Sequence, residues 1–272
     1  MLTSADVLGA DVLILDLEDA VALDEKDAAR ILVREALTGI PFTHSETAVR
    51  INPVDSPYWK EDLREIVPAG PDALVIPKAT VEAVRMIEEE IERIQKDLED
   101  PRELLFLLLI ESARSLLDLP RIADASKRNA ALLLGAEDYS SDMGVERTPG
   151  SKEIEYARFT IATAARAFGL DAVDTPYTDI ENLEGLRRDT EFSKSIGFTG
   201  RMCIHPSHVH PVETVFNPSK EAIEEAAALL EKAERAREQG IGVFSWKGKM
   251  VDLPVIHRAE KVLETARSGG LL

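Results

Sequence analysis

Residues 104–137, LLFLLLIESARSLLDLPRIADASKRNAALLLGAE, hold two short and almost wholly apolar runs, LLFLLLIE (104–111) and AALLLGAE (130–137). Between them lies a charged, amphipathic segment, RSLLDLPRIADAS. A strand apolar on both faces must be covered on both faces, and parallel neighbours need a crossover long enough to hold a helix. The stretch therefore reads as strand, helix, strand, with the strands parallel. The same alternation continues in both directions. Further strand candidates are DVLILDLE (11–18), ETAVRIN (46–52), ALVIPK (73–78), DAVDTPY (171–177) and GRMCIHP (200–206). Helical segments between them include DEKDAARILVREAL, TVEAVRMIEEEIERIQKDL, EIEYARFTIATAARAFG and NLEGLRRDTEFSKSIG. Seven such strands predict an α/β fold of the TIM (β/α)8-barrel type with its first strand missing or shortened. A doubly wound open sheet is the alternative, but the Gly-rich turn that normally follows its first strand is absent.

At 272 residues and 44% hydrophobic, the chain can bury one large core. A net charge of −18 repels nucleic acid and anionic membrane surfaces, so neither is an expected partner. The single cysteine, Cys203, excludes an intramolecular disulfide and reads as a core residue of an apolar strand. MLTSADVLGADV has no secretory pattern, and LLFLLLI is far shorter than the roughly 20 residues of a membrane helix. A soluble cytoplasmic protein is expected.

In a barrel of this kind the loops at the C-terminal ends of the strands build the site. Those ends carry Asp16, Glu18, Asp19, Arg50, Asn52, Lys78, Glu111, Glu137, Asp138, Asp174 and His205. Acids outnumber cations there, an excess that a divalent metal relieves. Mg2+ takes hard oxygen ligands, commonly one or two carboxylates with waters and substrate oxygens. Glu111 and Asp138, each behind a strongly apolar run on neighbouring strands, are the chosen pair. The bland alternative is that strand-end acids only cap the next helix, and it weighs about evenly for Asp19, Glu137 and Asp142 taken singly. Arg50 can fork onto a carboxylate. The main-chain N–H groups of Gly135, Ala136, Glu137 and Asp138 can take up further oxygens, small residues allowing close approach. Glu18 and Asp19 are expected to orient Arg50 or a metal-bound water, and Lys78 to pair with the rim acids rather than form a Schiff base. His205, His208 and His210 match no common zinc spacing.

The stretches ILDLEDAV (14–21), VRINPVDSP (49–57), VIPKA (75–79), LIESARSLL (109–117), LLGAEDYSSDMG (133–144), GFTGRMCIHP (197–206) and GKMVDLPVIHRAEKVL (248–263) resemble, in order and spacing, the citrate lyase beta subunit and its relatives in the HpcH/HpaI aldolase/citrate lyase family. These relatives include malyl-CoA, citramalyl-CoA and β-methylmalyl-CoA lyases. The resemblance implies that Glu111 and Asp138 hold Mg2+, that Arg50 meets the substrate's oxygens, and that Asp252 is the acid or base at the thioester's α-carbon, delivered by a neighbouring subunit. It also places His205 and Pro206 near the thioester arm. The implied activity is a carbon–carbon lyase that cleaves citryl thioester, on CoA or acyl carrier protein, to oxaloacetate and acetyl thioester. A stand-alone malyl-CoA, citramalyl-CoA or β-methylmalyl-CoA lyase, synthase or thioesterase is the second reading, and a non-catalytic barrel subunit the third. Citrate lyase alpha and gamma subunits are implied partners.

The organisation changes after the barrel, assigned to residues 1–216. Within 217–272, NPSKEAIEEAAALLEKAERAREQG (217–240) makes one charged helix capped by Ser219, and VFSWKGKMVD (243–252) a hairpin turning at Lys247 and Gly248, with a last helix from Pro254. This helix–hairpin–helix extension is expected to act as a lid. An exposed Trp246 there is best understood as covering a neighbour, which predicts a homo-oligomer; the resemblance makes it a trimer. One departure stands out: family members usually open with a further strand and helix before ILDLEDA, so that either the given start is too late or the barrel lacks its first strand, and residues of that loop are left unassigned.

Overall fold

The computed structural model describes residues 2–272. The chain divides into two compact units, residues 1–212 and 213–272. The first is built on seven strands: β1 (Val12–Asp16), β2 (Glu46–Arg50), β3 (Ala73–Ile76), β4 (Leu105–Ile110), β5 (Asn129–Leu134), β6 (Asp171–Asp174) and β7 (Gly200–Arg201). They form one parallel sheet in sequential order. Its helices are α1 (Leu2–Ala5), α2 (Lys26–Gly39), α3 (Trp59–Ile66), α4 (Val81–Gln95), α5 (Ala113–Leu117), α6 (Leu119–Ala123), α7 (Ala136–Met143), α8 (Glu155–Phe168) and α9 (Leu183–Ser195).

Alternation along the strands sorts the core by size. One face carries Ala48, Ala73, Val75, Leu109, Ala131 and Leu133, with Leu107, Val173 and Met202 packed against them. The other carries larger, fully buried side chains, among them Leu74, Ile76, Phe106, Leu108, Ile110, Leu132 and Leu134. The small-residue face extends onto β1, where Ile14 is in register with Ala48. Ile14 is nevertheless 39% exposed and Val12 37%, because β1 pairs only with β2. No eighth strand lies between β7 and β1 among the described residues, so the sheet keeps two edges.

Three expected elements differ. RSLLDLPRIADAS is two short helices, α5 and α6, that meet at Asp118; Pro120 lacks an N–H and fits only a helix's first turn. DAVDTPY and GRMCIHP are strand only over their first four and first two residues. Cys203 therefore lies beyond β7, half-buried, and burial pushes its thiol up to about 11.

The helix α10 (Val209–Phe216) runs across the division. The second unit holds α11 (Lys220–Glu238), the hairpin β8 (Phe244–Trp246) and β9 (Lys249–Val251), and α12 (Leu253–Ser268). Ser219 caps α11 by accepting the Ala222 N–H at 3.2 Å. The hairpin turns on Lys247 (φ 48°) and Gly248 (φ 78°), the paired left-handed conformation of a tight two-residue turn. Trp246 is half-buried rather than exposed: it packs on the cluster of Ala226, Leu229, Val251 and Ala259, and Lys232 stands 5.2 Å over its ring. No described helix is long and apolar enough to cross a membrane.

Candidate active site

The side chains that matter stand at the C-terminal ends of the strands, on the small-residue face. Asp16 and Arg50 are register partners on β1 and β2. Arg50 donates from Nε to Asp16 Oδ1 at 2.7 Å and from Nη2 to Oδ2 at 2.5 Å, a bidentate fork. Its Nη1 lies 3.2 Å from Glu18 and 3.7 Å from Asp19. Glu18 and Asp19 thus flank Arg50, and Asp16 is its principal partner. Burial opposes ionisation of Asp16, yet Arg50 and the N–H groups of Glu18 and Ala20 hold its carboxyl below the usual range. Glu18, 5% exposed, is pushed the other way: burial raises it to about 7 despite Arg50, and the charges of Asp19 and Asp16 add to the rise.

Glu111 follows β4 by one residue and is buried. The N–H of Lys78 donates to its Oε1 at 2.5 Å. Lys78 achieves this with φ 46°, a left-handed conformation costing a residue with a Cβ on the order of 1–3 kcal/mol. Besides that backbone contact, the charge of Lys78 favours ionisation of Glu18, although no carboxylate lies within 4.0 Å of its ammonium among the described residues. Across from Glu111, Gly135 follows β5 and leads into α7, and a Cβ there would stand 2.7 Å from both Cβ and Oε2 of Glu111. The glycine is the space into which the carboxylate fits.

Asp138, in the first turn of α7 and exposed, stands near enough to Glu111 to bear on its ionisation. Burial, then the charges of Glu18 and Asp138, push Glu111 up to about 8, with the Lys78 N–H opposing. Without a metal Glu111 is held protonated at neutral pH. This donor set fits a hard divalent cation, which would replace that proton. No group of three or more His, Cys, Asp or Glu able to hold a metal exists among the described residues, so a pair completed by water and substrate oxygens, the habit of Mg2+, is what the chain offers. No side chain caps α7. Its first N–H, from Ala136, reaches only a long 3.4 Å contact with Thr175 Oγ1. Glu137 points away, exposed and 3.1 Å from Arg147. Asp142 ties α7 to the segment after Glu111 by accepting the Ala113 N–H at 2.7 Å.

Other predicted residues lie elsewhere. Asp174 is turned to the opposite face, where it is fully buried with Arg158 (2.9 Å), Arg201 (2.5 Å), Asp189 and Ser193. His205 is exposed and caps the turn Pro206–His208, its Nδ1 accepting the Ser207 N–H at 3.2 Å. His208 is buried, with Nε2 3.2 Å from the Ile180 carbonyl. Asp252 belongs to the second unit, half-buried, and caps α12 by accepting the Val255 N–H at 3.3 Å. Sequence reasoning missed the buried polar groups of α2 and α3, Lys26, Arg30 and Asp62; in a charged helical segment nothing marks which charges turn inward.

Residues 1–206 match the HpcH/HpaI aldolase/citrate lyase family. The chain is 39% identical over its whole length to the citrate lyase subunit beta of Leuconostoc mesenteroides subsp. cremoris, covering 91% of that protein. It is 33% identical, over 94% of its length, to the L-malyl-CoA/β-methylmalyl-CoA lyase of Cereibacter sphaeroides, of which 87% is covered. Among solved structures, protein CitE from Mycobacterium tuberculosis, in complex with magnesium, acetoacetate and coenzyme A, superposes with a TM-score of 0.76 at 31% identity. That match covers 96% of this chain and 91% of the other.

Proposed function

Because the chain belongs to the HpcH/HpaI aldolase/citrate lyase family, we propose that it is a Mg2+-dependent carbon–carbon lyase that cleaves a citryl thioester to oxaloacetate and an acetyl thioester. The observation that carries this reading is the carboxyl pair Glu111 and Asp138 beside Arg50, on the strand ends of a chain 39% identical throughout to a citrate lyase subunit beta. Glu111 and Asp138 are the residues that would hold Mg2+. When bound, the ion supplies Lewis acidity and a template for the 2-oxo acid.

The remaining chemistry falls to the protein's own groups. Cleavage removes the hydroxyl proton, breaks the bond to the thioester's α-carbon, and leaves an enolate that must be protonated at carbon. Arg50, always charged and already oriented by Asp16, presents its guanidinium to carboxylate or enolate oxygen. The first-turn N–H groups from Ala136 to Asp138 offer uncapped donors to the oxo acid's carboxylate. Asp252 delivers or removes the proton at the α-carbon. Seven parallel strands in sequential order support a (β/α)8-type barrel. Around Asp252, exposed Val243, Met250 and Leu253 support a lid that covers a neighbouring copy in a homotrimer, with citrate lyase alpha and gamma subunits as further partners.

A second reading, cleavage of a malyl-CoA type thioester, is favoured by the 33% identity to the Cereibacter lyase. Citryl-CoA, malyl-CoA and citramalyl-CoA, offered separately with Mg2+ or EDTA while released 2-oxo acid is followed, distinguish them. The proposal expects Mg2+-dependent oxaloacetate from citryl-CoA. Glyoxylate from malyl-CoA alone would favour the second reading, and no oxo acid from any of the three or from citryl-acyl carrier protein would contradict both.

A further inference from the structure

Lys26 and Arg30 stand four residues apart on the buried face of α2, at 6% exposure each. Lys26 is the first residue of the helix, where the helix dipole disfavours a cation. Among the described residues no carboxylate lies within 4.0 Å of its ammonium. A buried ammonium without an ionic partner is expensive, and an apolar side chain of similar volume would pack there at less cost.

Its hydrogen bonds run to main chain. Nζ donates to the carbonyls of Leu17 at 2.7 Å and Glu18 at 2.6 Å. The same two residues hold the Arg50 surroundings: the Leu17 N–H donates to the Arg50 carbonyl at 2.9 Å, and the Glu18 N–H to Asp16 Oδ1 at 2.9 Å. One turn on, Arg30 Nε donates to Asp62 Oδ1 at 2.8 Å. Asp62 Oδ2 accepts from the Asn52 N–H at 2.9 Å and from its amide at 2.7 Å, two residues past Arg50. One helix face thus fixes the chain on both sides of a single guanidinium.

We propose that α2 is the positioning element for Arg50, with Lys26 holding the β1 end that orients it and Arg30, through Asp62, holding the β2 end. The inference rests on the reading of Arg50 as the group that meets substrate. Lys26 is a positioning residue and touches no reacting atom.

A double-mutant cycle in the intact protein tests it. Lys26→Met is expected to lower kcat by ~10- to 100-fold, the effect of misplacing a reacting group by about an ångström. Combined with Arg50→Ala, it is expected to add no further loss, because its effect passes through Arg50. A loss that multiplies with that of Arg50→Ala, or unchanged kcat in a folded Lys26→Met protein, would overturn the proposal. A second readout needs no turnover: the Arg50 Nε–H resonance, assigned by its loss in Arg50→Ala, is expected to shift or broaden in Lys26→Met. Lys26→Gln serves if the methionine variant does not fold, and an unmoved resonance overturns the proposal. If the parent protein cleaves no thioester while the resonance responds, the substrate reading fails and the positioning of Arg50 stands.

Discussion

Glu111 is where burial and charge act in the same direction. Its carboxyl sits at about 8 against an ordinary 4.5, raised first by burial and then by Glu18 and Asp138. A group raised on folding contributes most while protonated, so in metal-free protein its contribution is complete below about 4.5 and is lost as pH rises through about 8. Melting temperature measured in EDTA should fall across that window, and Glu111→Gln should flatten the fall; an equal slope in the variant would contradict the assignment. Gly135→Ala tests the same space from the other side. Its methyl would meet Glu111 Cβ and Oε2 at 2.7 Å, so the variant should weaken Mg2+ binding at least ~10-fold, read by titration, while the strands persist. The glycine before the acids was legible in the sequence as a place of close approach. That its neighbour would be Glu111 was not, because the contact depends on the register between β4 and β5, which contains an irregularity after Phe106.

At the scale of elements, the apolar runs identified β1 to β5 because strands packed between covering layers carry mostly apolar residues. The short β6 and β7 were overdrawn: apolar residues such as Met202 and Ile204 continue past the last ladder bond and read as strand. Asp174 shows the cost of a one-residue shift. Val173 faces the small-residue core, so Asp174 must face the helices, where Arg158 and Arg201, which it shares with Asp189, neutralise it. In the second unit Asp252 has a structural duty as the cap of α12 besides its proposed chemistry, and the two separate by substitution. Asn caps about as well as Asp, whereas Ala costs about 0.5–2 kcal/mol. Asp252→Asn should therefore keep the melting temperature and lose turnover, while Asp252→Ala should lose both; full turnover in Asp252→Asn would remove Asp252 from the chemistry.

For the whole molecule, a charge of −18 pointed away from nucleic acid and toward a site that must recruit its own cations. The sheet meets that demand by bringing strand ends distant in sequence to one rim: Asp16 and Glu18 from β1, Arg50 from β2, the Lys78 N–H after β3, Glu111 after β4 and Asp138 after β5. Parallel order made the rim legible, while α2 as the support behind it was hidden because inward-facing Lys26 and Arg30 look like any solvated charges. The central claim is that this rim holds Mg2+ through Glu111 and Asp138 in place of the proton on Glu111. Calorimetric titration with Mg2+ at pH 7, in two buffers of different ionisation enthalpy, tests it most directly. The account predicts one site per chain that releases about one proton on binding, and loss of that site in Glu111→Gln and Asp138→Asn. Binding without proton release, or binding undiminished in both variants, would contradict it.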